Sequence, residues 1–137
     1  MTDTAFRVWF IVLCLVAQSA VAQQSHRRDI PCKTVTNAAS CYWTHGRLLE
    51  ANGNPSFRLW KIGTHRVLGI YSGPSADRSG LDNEGPELPA NIQREFDSKK
   101  WPVIYADFEV CPLAEEQPET MQPACIEAAK NVVVKDK

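Results

Sequence analysis

The sequence predicts a mainly β domain, a small five-stranded barrel of the oligonucleotide- and oligosaccharide-binding (OB) type with one short helix between strands 3 and 4. Three observations point there. Short runs of strand formers are separated by glycine, proline and asparagine turns. A helical period occurs only once, between the third and fourth runs. Glycines sit inside two of the runs, where a barrel strand must bulge or bend. A disulfide-bonded β-sandwich has a similar strand count and is the alternative architecture.

The first strand is expected over 41–51, "CYWTHGRLLEA", which is rich in strand formers and has Gly46 in its middle. "NGNP" follows as a hairpin turn, because asparagine and glycine tolerate the positive φ such turns require. In "SFRLWKI" the alternation puts Phe57 and Leu59 on one side and Arg58 and Trp60 on the other. "GTHR" turns the chain again into "VLGIY", the third strand, with Gly69 in its middle.

Residues 73–87 carry Gly73, Gly80 and Gly85 among polar residues and read as a long surface loop. Leu88, Ile92 and Phe96 then fall four apart, with Pro89 placed for a first helical turn, so one short amphipathic helix is expected. "WPVIYADFEVC" alternates strictly: Ile104, Ala106, Phe108 and Val110 face one way, and Tyr105, Asp107 and Glu109 the other. An acidic loop, "PLAEEQPETMQPA", leads to "CIEAAKNVVVKD", in which Ala128 and Ala129 lean helical and the three valines lean strand; it is assigned as the fifth strand.

The amino end reads as a cleaved export signal over residues 1–22. Arg7 precedes an apolar run from Val8 to Ala17, and small residues stand at Ala20 and Ala22. The run is too short to cross a bilayer as a helix, which takes about 20 residues, so no stable membrane anchor is expected. Leu13 ahead of Cys14 does not fit a lipoprotein cleavage site. Cleavage after Ala22 leaves 115 of the 137 residues, an arm over 23–40 and one domain over 41–137. With Asp3 and Arg7 gone, 14 basic residues face 15 acidic ones. A balanced chain has no general field for nucleic acid or anionic lipid, so no nucleic acid partner is expected. "SHRR" at 25–28 is a small basic cluster and reads as a disordered tail.

Export makes the four remaining cysteines, Cys32, Cys41, Cys111 and Cys125, a disulfide set in a secreted or periplasmic protein. Three pairings are possible. Closing the acidic loop with Cys111–Cys125 and pinning the arm with Cys32–Cys41 is the pairing that chain proximity favours. Paired CxxC or HxxxH spacing is lacking, so neither metal nor cofactor is expected.

The stretch "HGRLLEANGNPSFRLWKIGTHRVLGIY", with "YADFEVCPL" and "CIEAAKNVVV", resembles small exported bacterial proteins that are uncharacterised. The resemblance covers most of the chain after residue 22 and implies a bacterial, exported product with no activity to transfer.

No catalytic residues are assigned. His45 and His65 are placed to meet across the three-stranded meander, yet a histidine beside a bulge or in a turn is ordinarily a solvated residue, and no nucleophile accompanies them. GxSxG is missing, and Ser72, Ser75 and Ser79 fall in a loop rather than on a rigid elbow. Asp107 and Glu109 would stand about 7 Å apart on one strand, but a glycosidase pair must flank the sugar from opposite sides. "EEQPE" lacks the calcium-loop pattern.

The expected ligand face is that of strands 2 and 3, carrying Arg58, Trp60, Lys61, His65, Arg66 and Tyr71. Aromatic planes with cationic donors suit an acidic saccharide or a peptide carboxylate. Trp43, Trp60 and Trp101 have a competing use as core. The function expected is an exported, non-catalytic binding or interaction domain for a saccharide or protein partner. A small exported hydrolase and a protein inhibitor are the alternatives. A cleft holding His45 or His65 against a carboxylate would favour the first, and an exposed loop flanked by cystines the second.

Overall fold

The computed structural model describes residues 28–78 and 85–136. The export signal expected over 1–22, residues 23–27, part of the long loop and residue 137 lie outside the described residues. Five strands, β1 (Tyr42–Glu50), β2 (Phe57–Lys61), β3 (Val67–Ile70), β4 (Val103–Pro112) and β5 (Gln122–Lys135), close into a barrel in the order β1-β2-β3-β5-β4. One helix, α1 (Ala90–Ser98), connects β3 to β4. The β3–β5 contact is parallel and every other neighbouring pair is antiparallel. The architecture is therefore a barrel and not a sandwich.

Period-two alternation builds the interior. Leu48 from β1, Leu59 from β2, Leu68 and Ile70 from β3, Ile104, Phe108 and Val110 from β4, and Ile126 from β5 are all essentially inaccessible to solvent. Leu88 and Ile92 complete this core from the helical segment, and Phe96 meets Phe57 edge to face at 4.9 Å. Helix α1 thus covers the barrel end where the β1–β2 hairpin turns. No tryptophan of the described residues is used as core: Trp43, Trp60 and Trp101 are 47, 36 and 46% exposed.

The two strand glycines serve close approach. A Cβ at Gly46 would lie 2.5 Å from Leu59 Cδ1, and one at Gly69 would lie 2.6 Å from Pro55 Cγ. Irregularity falls instead in the fifth strand. Its register against β4 shifts between Tyr105 and Asp107 and again between Glu109 and Val110, so β5 carries one extra residue at each place. Asn131, in the first of these, takes φ +55. The expected alternation of the fourth strand and the assignment of the last segment as a strand both hold, β5 beginning three residues ahead of Cys125.

The disulfides join Cys32 to Cys125 and Cys41 to Cys111, which corrects the pairing that chain proximity favours. The reason is barrel closure. Tyr42 stands opposite Val110 in the β1–β4 ladder, so Cys41 arrives opposite Cys111, with Cα atoms 4.1 Å apart. Cys111 and Cys125 are themselves cross-strand neighbours, but the β4–β5 ladder already joins their strands. Each instead ties down a distant segment. The sulfurs of Cys32, Cys111 and Cys125 lie within 4.8 Å of one another in a fully buried cluster.

The basic tail is also corrected at its last residue. Arg28 is 15% exposed at its side chain and donates to four carbonyls: Ile126 at 2.5 Å, Ser72 at 2.6 Å, Glu87 at 2.9 Å and its near neighbour Ile30 at 3.3 Å. Burial lowers its pKa, while the charges of Glu127 and Glu87 act the other way. The arm that follows crosses Gly73, where a Cβ would come within 2.3 Å of the Pro31 carbonyl oxygen.

Peptide mapping without reductant is expected to recover Cys32 with Cys125 and Cys41 with Cys111; a Cys111–Cys125 fragment would contradict the barrel closure. Phe108→Ala removes the largest fully buried side chain. It should cost about 3–5 kcal/mol in urea unfolding, and a loss below about 1 kcal/mol would mean that the ring is not enclosed.

Candidate binding face

Strand pairing sets the outer surface as rows that run across the sheet. One row reads Val67, Trp60, Arg47, Tyr105 and Val133, each residue the direct cross-strand partner of the next. The next reads His45, Asp107 and Lys130, and a third Trp43, Glu109 and Ala128. Alternation within β1 and β4 turns all these side chains outward, because their neighbours Leu48, Ile104, Ala106 and Phe108 fill the interior.

Rings and cations are paired on this face. Lys130 Nζ lies 4.2 Å from the centroid of Trp43, Lys135 Nζ 5.1 Å from that of Tyr105, and the Arg47 guanidinium carbon 5.7 Å from that of Trp60. None of the three cations has a carboxylate within ion-pair distance among the described residues. Arg47 Nε is shielded from water and has no hydrogen-bond partner among the described residues. The rings hold the cations in place without neutralising them. Glu109 differs, being paired with Lys33 of the arm at 2.5 Å.

At the centre, His45 Nδ1 stands 2.9 Å from Asp107 Oδ1, and Asn131 donates its side-chain amide to Asp107 Oδ2 at 2.7 Å. The hydrogen bond from Asn131, then that from His45, hold the Asp107 carboxyl below the usual carboxylate range, and the charge of Lys130 adds to them. An ionised carboxylate can only accept, so Nδ1 carries the proton and Nε2 points elsewhere. The imidazole is thereby oriented. It is 55% exposed, lies on an open sheet face, and shares no hydrogen bond with a serine, threonine or cysteine among the described residues.

The six residues expected to form a ligand face are dispersed. Arg58 and Trp60 share the outer side, as their alternation requires. Arg58 is occupied with the β1–β2 turn, donating to Asn52 O at 2.9 Å and Pro55 O at 3.3 Å. Trp60 is tied through Nε1 to Thr64 O at 2.8 Å and keeps a face toward Arg47. Lys61 falls on the inward parity and lies over Tyr42. Arg66 pairs with Glu116 of the β4–β5 loop, and His65 is exposed beside it. Those two, with Val67, Glu119, Thr120 and Met121, line a shallow cleft of about 230 Å³. Tyr71 is half-buried near Gly69.

Trp43, Arg47, Tyr105, Lys130, Lys135 and Asn131 were not foreseen as a group. The signal available was the outward alternation of β1 and β4; what was missing was the fact that these strands lie side by side. Comparison of the chain with protein-family profiles, with characterised proteins and with solved structures finds no match.

Because the Asp107 pKa is lowered, the stabilisation from its network is complete above the ordinary carboxylate value of 3.8 and is lost as pH falls through the folded value. Carbon-13 titration should place Asp107 below 3.8 and move it upward in Asn131→Ala. An unchanged value in that variant would remove Asn131 as the principal cause.

Proposed function

We propose that this protein is an exported, non-catalytic binding domain whose outer β2–β1–β4–β5 face takes an acidic saccharide. The observation that carries this reading is the set of three ring-held cations on one surface, Arg47, Lys130 and Lys135, with no carboxylate within ion-pair distance among the described residues. Fixed cations offer charge-assisted hydrogen bonds to carboxylate or sulfate groups at little ordering cost. The flat sheet with half-exposed indole edges suits an extended sugar chain. Strand addition by a peptide would need an open edge, and every strand of the closed barrel has a neighbour on both sides.

An OB-like barrel supports the same reading. Strand order, a parallel β3–β5 contact and a helix between the third and fourth strands agree with that architecture. Two cystines fit an oxidising compartment, secreted or periplasmic. No helix among the described residues is long and apolar enough to cross a membrane.

One observation favours a second reading, a protein inhibitor. The exposed segment 115–120 is flanked by Cys111 and Cys125, each held in a cystine, and Arg66 braces it through Glu116. Failure of a proteinase panel to detect inhibition at micromolar protein would dispose of it.

A glycan array with acidic and neutral chains, accompanied by acidic peptides and single-stranded DNA, tests the main proposal. Acidic glycans should be retained, with binding that weakens as salt rises. Arg47→Ala and Lys130→Ala should each lower affinity about tenfold, roughly 1.4 kcal/mol, while changing stability by no more than about 0.5 kcal/mol. Retention of peptides or DNA alone, or unchanged binding in the double variant, would refute it.

A further inference from the structure

We propose that the cleft formed by Glu50, Ala51, Asn52 and Trp101 is a separate binding site for a neutral pyranose ring. It lies at the barrel end that α1 covers, where the end of β1 enters its turn and the chain leaves the helix for β4. Its volume is about 240 Å³. That is below the roughly 300 Å³ at which pockets for drug-sized ligands begin and suits a single ring.

Trp101 is held in an unusual way. Its φ is +54, in the left-handed region that a bulky residue rarely adopts. The residue after it is the buried Pro102, which itself disfavours compact conformations of the preceding residue. Burial of the ring does not repay this strain, since Trp101 is 46% exposed. The indole is instead presented at the cleft, and its Nε1 has no hydrogen-bond partner among the described residues, unlike that of Trp60.

The rest of the lining has a fixed backbone and polar side chains open to a ligand. Ala51 N donates to Ser56 O at 2.7 Å, and Arg58 Nη2 donates to Asn52 O at 2.9 Å, so the backbone of the turn is fixed. The side chains of Glu50 and Asn52 make no hydrogen bond or ion pair among the described residues. Glu50 only accepts, and the Asn52 amide both donates and accepts, which matches hydroxyl groups that do both. An anion would be repelled by Glu50. An ammonium would leave the Asn52 donors unmatched and would find one ring rather than a cage. A sugar ring places its apolar face on the indole and its hydroxyls toward Glu50 and Asn52.

This site does not depend on the cation-bearing face, whose residues do not line it. The test is a proton–nitrogen NMR titration of the oxidised domain with methyl glycosides of glucose, galactose, mannose and N-acetylglucosamine, and with tetramethylammonium. At least one glycoside should shift the Trp101 indole and the amides of 50–52 with a millimolar Kd. Trp101→Gly, which suits the positive φ and keeps the fold, should weaken this at least tenfold; Glu50→Gln should weaken it severalfold, and Arg47→Ala should leave it unchanged. The proposal is overturned if no glycoside shifts these signals at about 100 mM, well above the millimolar range expected for one ring, if tetramethylammonium alone does, or if Trp101→Gly titrates like the parent.

Discussion

Cys111 and Cys125 stand opposite each other at the junction of β4 and β5, and the rest of the molecule is organised around that junction. The hairpin ladder alone would hold the two strands. Because it does, each sulfur is available for a segment that the ladder cannot reach: β1 through Cys41, and the amino-terminal arm through Cys32. Cross-links spanning 70 and 93 residues remove more freedom from the unfolded chain than short loops would, the gain growing with the logarithm of loop length. They also fix β1 beside β4, and that adjacency creates the rows of side chains on the outer face.

The same adjacency explains what was legible in the sequence. Local patterns specified the elements: Phe57 and Leu59 inward, Arg58 and Trp60 outward, a helix through Ile92 and Phe96, and an alternating fourth strand. Barrel closure was accessible because three strands, a helix and two strands restrict the topology. Pairings between residues far apart in the chain were not. Whether Cys41 meets Cys32 or Cys111 depends on which strand lies beside β1, and periodicity within β1 contains no information on that. Arg28 shows the same limit, since a basic residue near a terminus has no local feature that marks three carbonyls from separate parts of the chain as its partners.

The expected ligand residues failed to assemble for a related reason. Aromatic and basic side chains interleave through 41–72, but alternation divides them between faces and the turns consume several. Arg58 braces a turn, Arg66 braces a loop, and Lys61 covers Tyr42. The cations without such duties, Arg47, Lys130 and Lys135, come from the first and last strands. There the aromatic rings act as supports that orient charge. The bulge at Asn131 has a comparable role: one additional residue in β5 turns an amide onto Asp107, which in turn fixes the tautomer of His45.

The clasp between the two ends of the chain has a temporal consequence. Arg28 reaches Ile126, and Cys32 reaches Cys125, so these two links form only when β5 exists. Synthesis must therefore pass residue 126 before either link can form. Until then the leading arm can grip the middle of the chain, through Arg28 on the Ser72 and Glu87 carbonyls and the Ile30 amide on the Glu87 carboxylate.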